Sequence, residues 1–214
     1  MEQKVSKSVI RRLPIYLSYL KALPDDAPEN ISATTLATAL CMGEVQVRKD
    51  LALVSDGGRP KVGYRRESLV ADIEQFLGYD NTNDAVLIGA GKLGRALLGY
   101  SGFSEYGLNI VAAFDACDAL LGTDESGKPI LPMRDLGRLC AHRKILIGII
   151  TVPAAQAQTV CDELIANGIK AIWNFAPIHL DVPEGVVVEN VNLASSLAIL
   201  THRLSLTLAK GRRK

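Results

Sequence analysis

Residues 85–94 are Ala85-Val86-Leu87-Ile88-Gly89-Ala90-Gly91-Lys92-Leu93-Gly94, a short apolar run that leads directly into a glycine-rich segment. The four apolar residues show no polar alternation, which predicts a strand that is buried on both faces of a sheet. The glycines at 89, 91 and 94 follow the strand and open a predicted helix. A G-x-G-x-x-G turn in this context is typical of the dinucleotide-binding turn of a Rossmann fold.

Each glycine of the turn has its own task if the turn binds a dinucleotide rather than serving only as a structural turn. Gly89 permits the tight turn, Gly91 lets the backbone approach a pyrophosphate, and Gly94 lets the helix pack closely on the strand. Asp115 stands 21 positions after Gly94 and would accept hydrogen bonds from the adenosine ribose hydroxyls. Because a 2′-phosphate would meet this carboxylate, the sequence favours NAD(H) over NADP(H). The other predicted contacts of the turn are Ala90, Lys92 and Leu93.

Further apolar runs at 109–114, 145–150, 169–173 and 186–188 alternate with helical patterns. This order predicts an α/β domain whose parallel sheet is covered by helices on both faces. Ligands of such sheets bind beyond the carboxyl ends of the strands, so residues in those loops are candidate cofactor contacts. A packing role fits each of them equally well: Tyr100, Thr151, Val152, Pro153, Asn174 and Phe175.

The first 78 residues have helical periodicity and little strand pattern. Two short predicted helices flank Gly43, and in the second of them Val47, Leu51 and Val54 share one face. Polar side chains, among them Gln46, occupy the opposite face, which is the arrangement of a helix-turn-helix.

A basic segment rich in glycine and proline follows at residues 56–66 and predicts a hairpin, which we interpret as a wing. Residues 46–66 contain six basic residues against two acidic ones. Such a concentration of positive charge suits contacts with phosphates, and an ordinary solvated surface hairpin is the alternative.

Composition excludes several other classes of protein. Hydrophobic residues make up 48% of the 214 residues and charged residues 22%, with a net charge of +1, which is ordinary for a globular protein. The four cysteines form no C-x-x-C pair, so the sequence predicts neither a metal site nor a disulfide framework. No apolar run reaches the roughly 18 residues of a membrane span, and we expect a cytoplasmic protein without a membrane partner.

Catalysis is not supported by the sequence. A dehydrogenase needs an acid or base near the nicotinamide, and the chain has three histidines, His142, His179 and His202. His179 follows a predicted strand and is the best candidate, yet no carboxylate or lysine spacing supports it. We therefore predict no catalytic residue and a sensing role, with a small NAD-dependent oxidoreductase carrying an accessory helical domain as the alternative.

Over essentially its whole length the chain resembles the Rex family of redox-sensing repressors. The most diagnostic matches are Gln46-Val47-Arg48-Lys49-Asp50-Leu51 and Asn174-Phe175-Ala176-Pro177, supported by Arg12 to Leu17, Val62-Gly63-Tyr64 and the glycine turn. The resemblance implies a homodimer that binds a palindromic operator as double-stranded DNA and releases it when NADH binds. It implies DNA contacts from Arg12, Gln46, Arg48, Lys49, Arg59, Lys61, Gly63 and Tyr64.

The resemblance also implies three segments. Residues 1–78 form a winged-helix DNA-binding domain, residues 79–191 form a Rossmann NAD(H)-binding domain, and residues 192–214 form a dimerisation helix with a basic tail. That helix, from Leu193 to about Ala209, is expected to swap into the partner subunit.

The sequence departs from the family pattern at three places. The wing has Arg59-Pro60-Lys61-Val62 where relatives have x-R-G-V, and Ser18 and Asn192 stand where an Arg and an Asp are common. We expect Tyr100, Tyr16, Ser18 and the partner's Asn192 to form the interface that senses the nicotinamide.

Overall fold

The computed structural model describes residues 5–211, which form two compact units that divide between Asn81 and Thr82. We call them the N-terminal unit and the C-terminal unit and describe each by itself. Over the described residues no helix is both long enough and apolar enough to cross a membrane.

Four helices and a two-stranded ribbon make up the described part of the N-terminal unit. They are α1 (Lys7–Ala22), β1 (Asn30–Ile31), α2 (Ala33–Ala39), α3 (Glu44–Val54), β2 (Tyr64–Arg65) and α4 (Arg66–Leu77). Ser6 and Ser32 cap α1 and α2, because their hydroxyls accept hydrogen bonds from backbone N–H groups of the first turn. Gly78 ends α4 in the left-handed conformation, at a φ of 73°. The two helices predicted on either side of Gly43 are confirmed.

The C-terminal unit has a seven-stranded sheet in the order β5-β6-β4-β3-β7-β8-β9, in which only the β5–β6 pair is antiparallel. Its strands are β3 (Asn83–Ile88), β4 (Leu108–Asp115), β5 (Gly122–Thr123), β6 (Pro129–Pro132), β7 (Ile147–Ile150), β8 (Ala171–Asn174) and β9 (Val187–Asn190). Its helices are α5 (Lys92–Leu98), α6 (Leu136–Arg143), α7 (Ala154–Ala166) and α8 (Leu193–Gly211). Leaving out β5, this is the strand order of a Rossmann fold, so the predicted α/β class is confirmed.

Helices cover both faces of this sheet, which explains the unalternating strands. Val86 and Ile88 pack on one side with Leu164 of α7, whereas Ala85 and Leu87 pack on the other side with apolar residues of α5. The α8 helix is different, since none of its described side chains is buried. Its exposed apolar residues include Leu193, Leu197, Ile199, Leu200, Leu204, Leu206 and Leu208.

One buried carboxylate joins two helices of the N-terminal unit. Asp50 of α3 is only 3% exposed and accepts a hydrogen bond of 2.7 Å from the Tyr16 hydroxyl of α1. Arg12, one turn earlier on α1, donates two bonds to the same carboxylate, from Nε at 2.7 Å and from Nη2 at 2.9 Å. A carboxylate at this depth needs such partners, because an unpaired buried charge is costly.

The cluster also makes the N-terminal unit sensitive to alkaline pH. Burial, followed by the bond to Asp50, raises the pKa of Tyr16 from 10.0 to about 12. Because the pKa is raised in the folded state, the hydrogen-bonded hydroxyl of Tyr16 contributes its full stabilisation below pH 10.0. This stabilisation is lost as the pH rises towards about 12.

We expect Asp50→Ala to lower the free energy of unfolding of the N-terminal unit by about 3 kcal/mol, because it leaves Arg12 and the Tyr16 hydroxyl without their partner. Urea unfolding followed by circular dichroism measures this loss. The exposed Asp56→Ala serves as the matched control, with a change within about 0.5 kcal/mol. Equal effects of the two substitutions would show that the buried cluster does not hold α1 on α3.

Candidate functional site

The glycine turn of the C-terminal unit has no room for side chains at two of its three glycines. Gly89 has a φ of 103°, and a Cβ there would lie 3.0 Å from Thr151 Oγ1. A Cβ on Gly94 would overlap the carbonyl oxygen of Gly89. At Gly91, in contrast, no atom lies within 4 Å of the position that a Cβ would take. This open backbone is what the close approach of a pyrophosphate requires.

Asp115, at the end of β4, is fixed against the same turn. Its Oδ2 accepts a hydrogen bond of 2.7 Å from the N–H of Ala90, and its Oδ1 accepts one of 2.8 Å from the N–H of Cys117. Each carboxylate oxygen can accept a second bond, so the ribose hydroxyls of a dinucleotide still have acceptors here. The residues present therefore fit the adenosine half of NAD(H).

A cleft of about 430 Å³ opens beside the turn, where β3 and β7 end. Thr151 ties the two strand ends together, since its hydroxyl lies 3.0 Å from the Ile88 carbonyl oxygen and 2.8 Å from that of Gly89. Val152 and Pro153 continue this wall. The cleft is also lined by residues that no motif in the sequence indicates: Leu120, Met133, Gln156, Thr159, Val160 and Glu163. The exposed Lys92 and Leu93 begin α5 immediately after the turn.

Asn174 is placed where packing accounts for its amide. It is fully buried, its Nδ2 donates at 2.8 Å to Asn190 Oδ1, and its Oδ1 accepts at 2.9 Å from the N–H of Ala176. Further contacts of Nδ2 with the carbonyls of Ala176 and Ile178 complete the network. Of the two roles that the sequence allows, the geometry favours loop packing over contact with a ligand.

Tyr100 and Phe175 belong to one row of aromatic rings. The centroids of Tyr100 and Phe103 lie 4.9 Å apart, those of Phe103 and Trp173 lie 5.6 Å apart, and those of Trp173 and Phe175 lie 4.8 Å apart. Tyr100 stands at the exposed end of the row, and a Cβ on Gly102 would overlap its ring. The ring thus packs on Gly102 and Phe103 although 53% of the residue is exposed.

His179, the best acid–base candidate in the sequence, does not line the cleft at the glycine turn. It borders a second cleft of about 630 Å³ that lies between the loop following β8 and the beginning of α8. Among residues 5–211 no group of His, Cys, Asp and Glu side chains is arranged to hold a metal ion.

In the N-terminal unit, α3 and the wing carry the predicted DNA contacts. Lys49 is exposed on α3, and the wing is closed by two bonds of 2.9 Å between the backbones of Arg59 and Gly63. Lys61 lies at the tip of the wing and adopts the left-handed conformation, with a φ of 65°. The tip therefore keeps a conformation that favours glycine even though a lysine occupies it.

Two further wing residues support its position. A Cβ on Gly63 would overlap the carbonyl oxygen of Ile31, so the wing lies directly against β1. Tyr64 is 8% exposed, and burial raises the pKa of its hydroxyl. Its ring lies so close to Gly58 that a Cβ there would be 2.8 Å away. The buried ring of Tyr64 thus packs against the wing and holds it in place.

Not all basic side chains of residues 46–66 are free of acidic partners in the structure. Arg48 pairs with Glu44, while Arg65 pairs with Glu29 at 3.0 Å and with Glu67 at 3.3 Å. These three glutamates lie outside residues 46–66. The cations of this segment that form no ion pair with another described side chain are Lys49, Arg59, Lys61 and Arg66.

Arg12 is occupied within the unit, and its guanidinium also contacts Gln46, which is exposed on α3. Arg12 donates hydrogen bonds to the carboxylate of Asp50, and this interaction raises the pKa of the Arg12 guanidinium. The amide oxygen of Gln46 lies 2.8 Å from Arg12 Nη1 in the orientation that satisfies both groups. Arg12 therefore connects the buried carboxylate to a polar residue on the outer face of α3.

The interface that we expected to sense the nicotinamide needs a correction. Tyr16 is 0% exposed and bonded to Asp50, so it belongs to the core of the N-terminal unit and not to a surface. Ser18 is exposed. Asn192 is also exposed, and its Oδ1 accepts a hydrogen bond of 2.9 Å from the N–H of Ser195 in the first turn of α8.

Comparisons with known proteins match both units. Residues 80–178 match the family model of the CoA binding domain, and residues 4–52 match that of a putative DNA-binding protein N-terminus. The chain is 44% identical to the redox-sensing transcriptional repressor Rex of Porphyromonas gingivalis, over 95% of this chain and 94% of that protein. It is 42% identical to the protein of the same name from Treponema denticola, over 89% and 91%.

Solved structures give the same result. The structure of RSP in complex with β-NAD⁺ and operator DNA matches with a TM-score of 0.88 and 36% identity, over 99% of this chain and 97% of that one. The structure of RSP in complex with β-NADH matches with a TM-score of 0.87 and 36% identity, over the full length of both chains.

Two glycine substitutions test the geometry of the turn. We expect Gly94→Ala to lower the free energy of unfolding by more than about 2 kcal/mol, because its Cβ overlaps the Gly89 carbonyl oxygen. Gly91→Ala should leave stability within about 0.5 kcal/mol of the wild type while weakening NADH binding, because its Cβ enters only the open cleft. Urea unfolding and calorimetric titration with NADH measure the two effects. Unchanged NADH affinity in Gly91→Ala would exclude the open face of the turn as the pyrophosphate site.

Proposed function

The chain belongs to the Rex family of redox-sensing transcriptional repressors, and from this premise we propose that it binds operator DNA as a homodimer and releases it when NADH binds. The observation that carries this proposal is the presence of both parts in one chain, at 44% identity over nearly the full length of a named repressor. One part is an exposed helix-turn-helix with a wing, and the other is a glycine-turn cleft that fits a dinucleotide.

We propose that NAD(H) lies across the carboxyl ends of β3, β4 and β7. Its pyrophosphate contacts the open backbone of the turn from Gly89 to Gly94, and Lys92 adds a positive charge nearby. The hydroxyls of the adenosine ribose donate hydrogen bonds to the carboxylate of Asp115. Thr151, Val152 and Pro153 line the cleft beside the ribose. Tyr100 and Phe175, at the two ends of the aromatic row, are assigned to the nicotinamide end.

For the DNA, we propose that α3 enters the major groove and that the wing follows the phosphate backbone. Lys49 and Gln46 face the base edges, while Arg48, Arg59 and Lys61 contact phosphates. Arg12, Gly63 and Tyr64 support this surface from within: Arg12 fixes α3 through Asp50, and the other two hold the wing. Two copies related by a twofold axis would read a palindromic operator.

We propose that α8 is the principal dimerisation element. An apolar surface of seven large side chains on one helix is more than a folded monomer ordinarily leaves in water, and a second copy of the chain can cover it. Residues Leu193–Gly211 form this helix, and the last three residues of the basic tail, 212–214, lie outside the described residues.

The oxidoreductase alternative has less support. The similar proteins are named repressors. We therefore assign no catalytic residue to this chain. We place its action in the cytoplasm, where operator DNA and the NAD(H) pool are both available.

The proposed function is tested by selecting bound sequences from random DNA and then titrating the selected operator in the presence of NADH or NAD⁺. We expect NADH to lower operator affinity by about tenfold or more, within the range of ordinary allosteric coupling. Gly91→Ala is the matched control, because it should bind the operator normally and respond weakly to NADH. The proposal fails if NADH binds the wild type without changing its operator affinity.

The assignment of DNA contacts makes a separate prediction. Lys61→Ala should weaken binding to all sequences and flatten the dependence of affinity on salt by about one unit, because one phosphate contact is lost. Lys49→Ala should instead cost about 1–3 kcal/mol at one operator position and leave the others unaffected. Lys170→Ala, an exposed cation of the C-terminal unit, is the control for general charge. A change of sequence preference in Lys61→Ala without a change in the salt dependence would contradict this assignment.

A further inference from the structure

An exposed arginine on α5, Arg95, bonds to the glycine turn and lines a separate hollow together with Asp124 and Glu125. The Nε of Arg95 donates a hydrogen bond of 3.0 Å to the carbonyl oxygen of Ala90, and its Nη2 approaches the carbonyl oxygen of Leu120 at 3.5 Å. Leu120 lines the cleft on the side of Asp115. The guanidinium thus joins the glycine turn to the segment after β4 that lines the cleft.

Arg95 and Asp115 flank a single peptide group. The N–H of Ala90 donates at 2.7 Å to Asp115 Oδ2, while the Ala90 carbonyl accepts from Arg95. The two opposite charges nevertheless form no ion pair within 4.0 Å, and Arg95 pairs with no other described carboxylate. Since a guanidinium has five N–H donors and only two are engaged here, the others remain available to a ligand.

We propose that Arg95 is a specificity-determining residue that binds the 2′-phosphate of NADP(H), and that Asp115 opposes it. In Rossmann domains an acidic residue selects the ribose 2′-hydroxyl, whereas a nearby arginine accommodates a 2′-phosphate. This chain holds both groups on the two sides of one peptide. Its preference for NADH over NADPH is therefore set by two opposing effects on the 2′-phosphate, a repulsion by Asp115 and an attraction by Arg95. This inference rests on the proposed binding of NAD(H) in the cleft.

A purely supporting role of Arg95 has a different signature. If the guanidinium only braces the Ala90 and Leu120 carbonyls, its removal disturbs the turn and the carboxylate together. NADH and NADPH would then lose affinity by the same factor. The ratio of the two affinities separates the roles, because only a contact with the 2′-phosphate changes it.

The experiment is a set of calorimetric titrations with NADH and with NADPH on the wild type, Arg95→Gln, Asp115→Asn and the double variant. Asparagine is chosen because its amide oxygen can keep the bond to the Ala90 N–H while the negative charge is removed. We expect Arg95→Gln to change NADH affinity by less than twofold and to weaken NADPH about tenfold, as loss of a charge-assisted bond to a phosphate implies. Asp115→Asn should strengthen NADPH binding, and the double variant should lose that gain.

Lys92→Gln is the matched control, because this exposed cation lies at the pyrophosphate end and should affect both dinucleotides alike. Equal losses of NADH and NADPH in Arg95→Gln, or a double variant that keeps the full gain in NADPH affinity, would overturn the inference. If NADPH binds the wild type too weakly to measure, the comparison of Asp115→Asn with the double variant decides the question. Absence of NADH binding to the wild type would instead refute the proposed function itself.

Discussion

The absence of a side chain at Gly94 is the constraint on which the C-terminal unit depends. Because its Cα lies against the Gly89 carbonyl, α5 can begin directly above the carboxyl end of β3. That position brings the Ala90 N–H to Asp115 and leaves the backbone at Gly91 open to the cleft. A larger residue at 94 would displace α5 and the turn before it. The open backbone at Gly91 would then move away from Asp115, so that the phosphate site and the ribose acceptor would no longer lie together. Fold and site therefore share one steric requirement.

The N-terminal unit depends on a polar interaction instead. Asp50 lies inside the core, where a carboxylate is tolerated only because Arg12 and Tyr16 satisfy it. Arg12 also reaches Gln46, so the buried charge sets the position of a residue on the outer face of α3. Several residues that motif matching assigns to the DNA surface thus form the layer beneath it. Their loss would alter DNA binding through the orientation of α3 and the wing rather than through a missing contact.

Local patterns predicted much of this structure. The strand before Gly89, the turn itself and Asp115 could be placed from sequence because each depends on neighbours within a few residues or on a fixed spacing. The β5–β6 pair was missed since it is short and prolines bracket β6.

The remaining lining of the cleft and the pairing of Arg12 with Asp50 bring together residues distant in sequence, and no motif records such contacts. Tyr16 was placed on a surface wrongly, because a helical period does not reveal that a tyrosine hydroxyl has a buried acceptor. The charge count of the basic segment does not reveal that Glu29, Glu44 and Glu67, which lie outside it, pair with two of its arginines.

The aromatic row gives the molecule an optical property. Trp173 is the single tryptophan of the chain, and it stands between Phe103 and Phe175 on β8, in the same unit as the glycine turn. Indole emits in the wavelength range in which reduced nicotinamide absorbs and oxidised nicotinamide does not. Excitation of this one residue can therefore transfer energy to bound NADH but not to bound NAD⁺. The intrinsic fluorescence of the unmodified chain then distinguishes the two redox states of its ligand, without an attached dye.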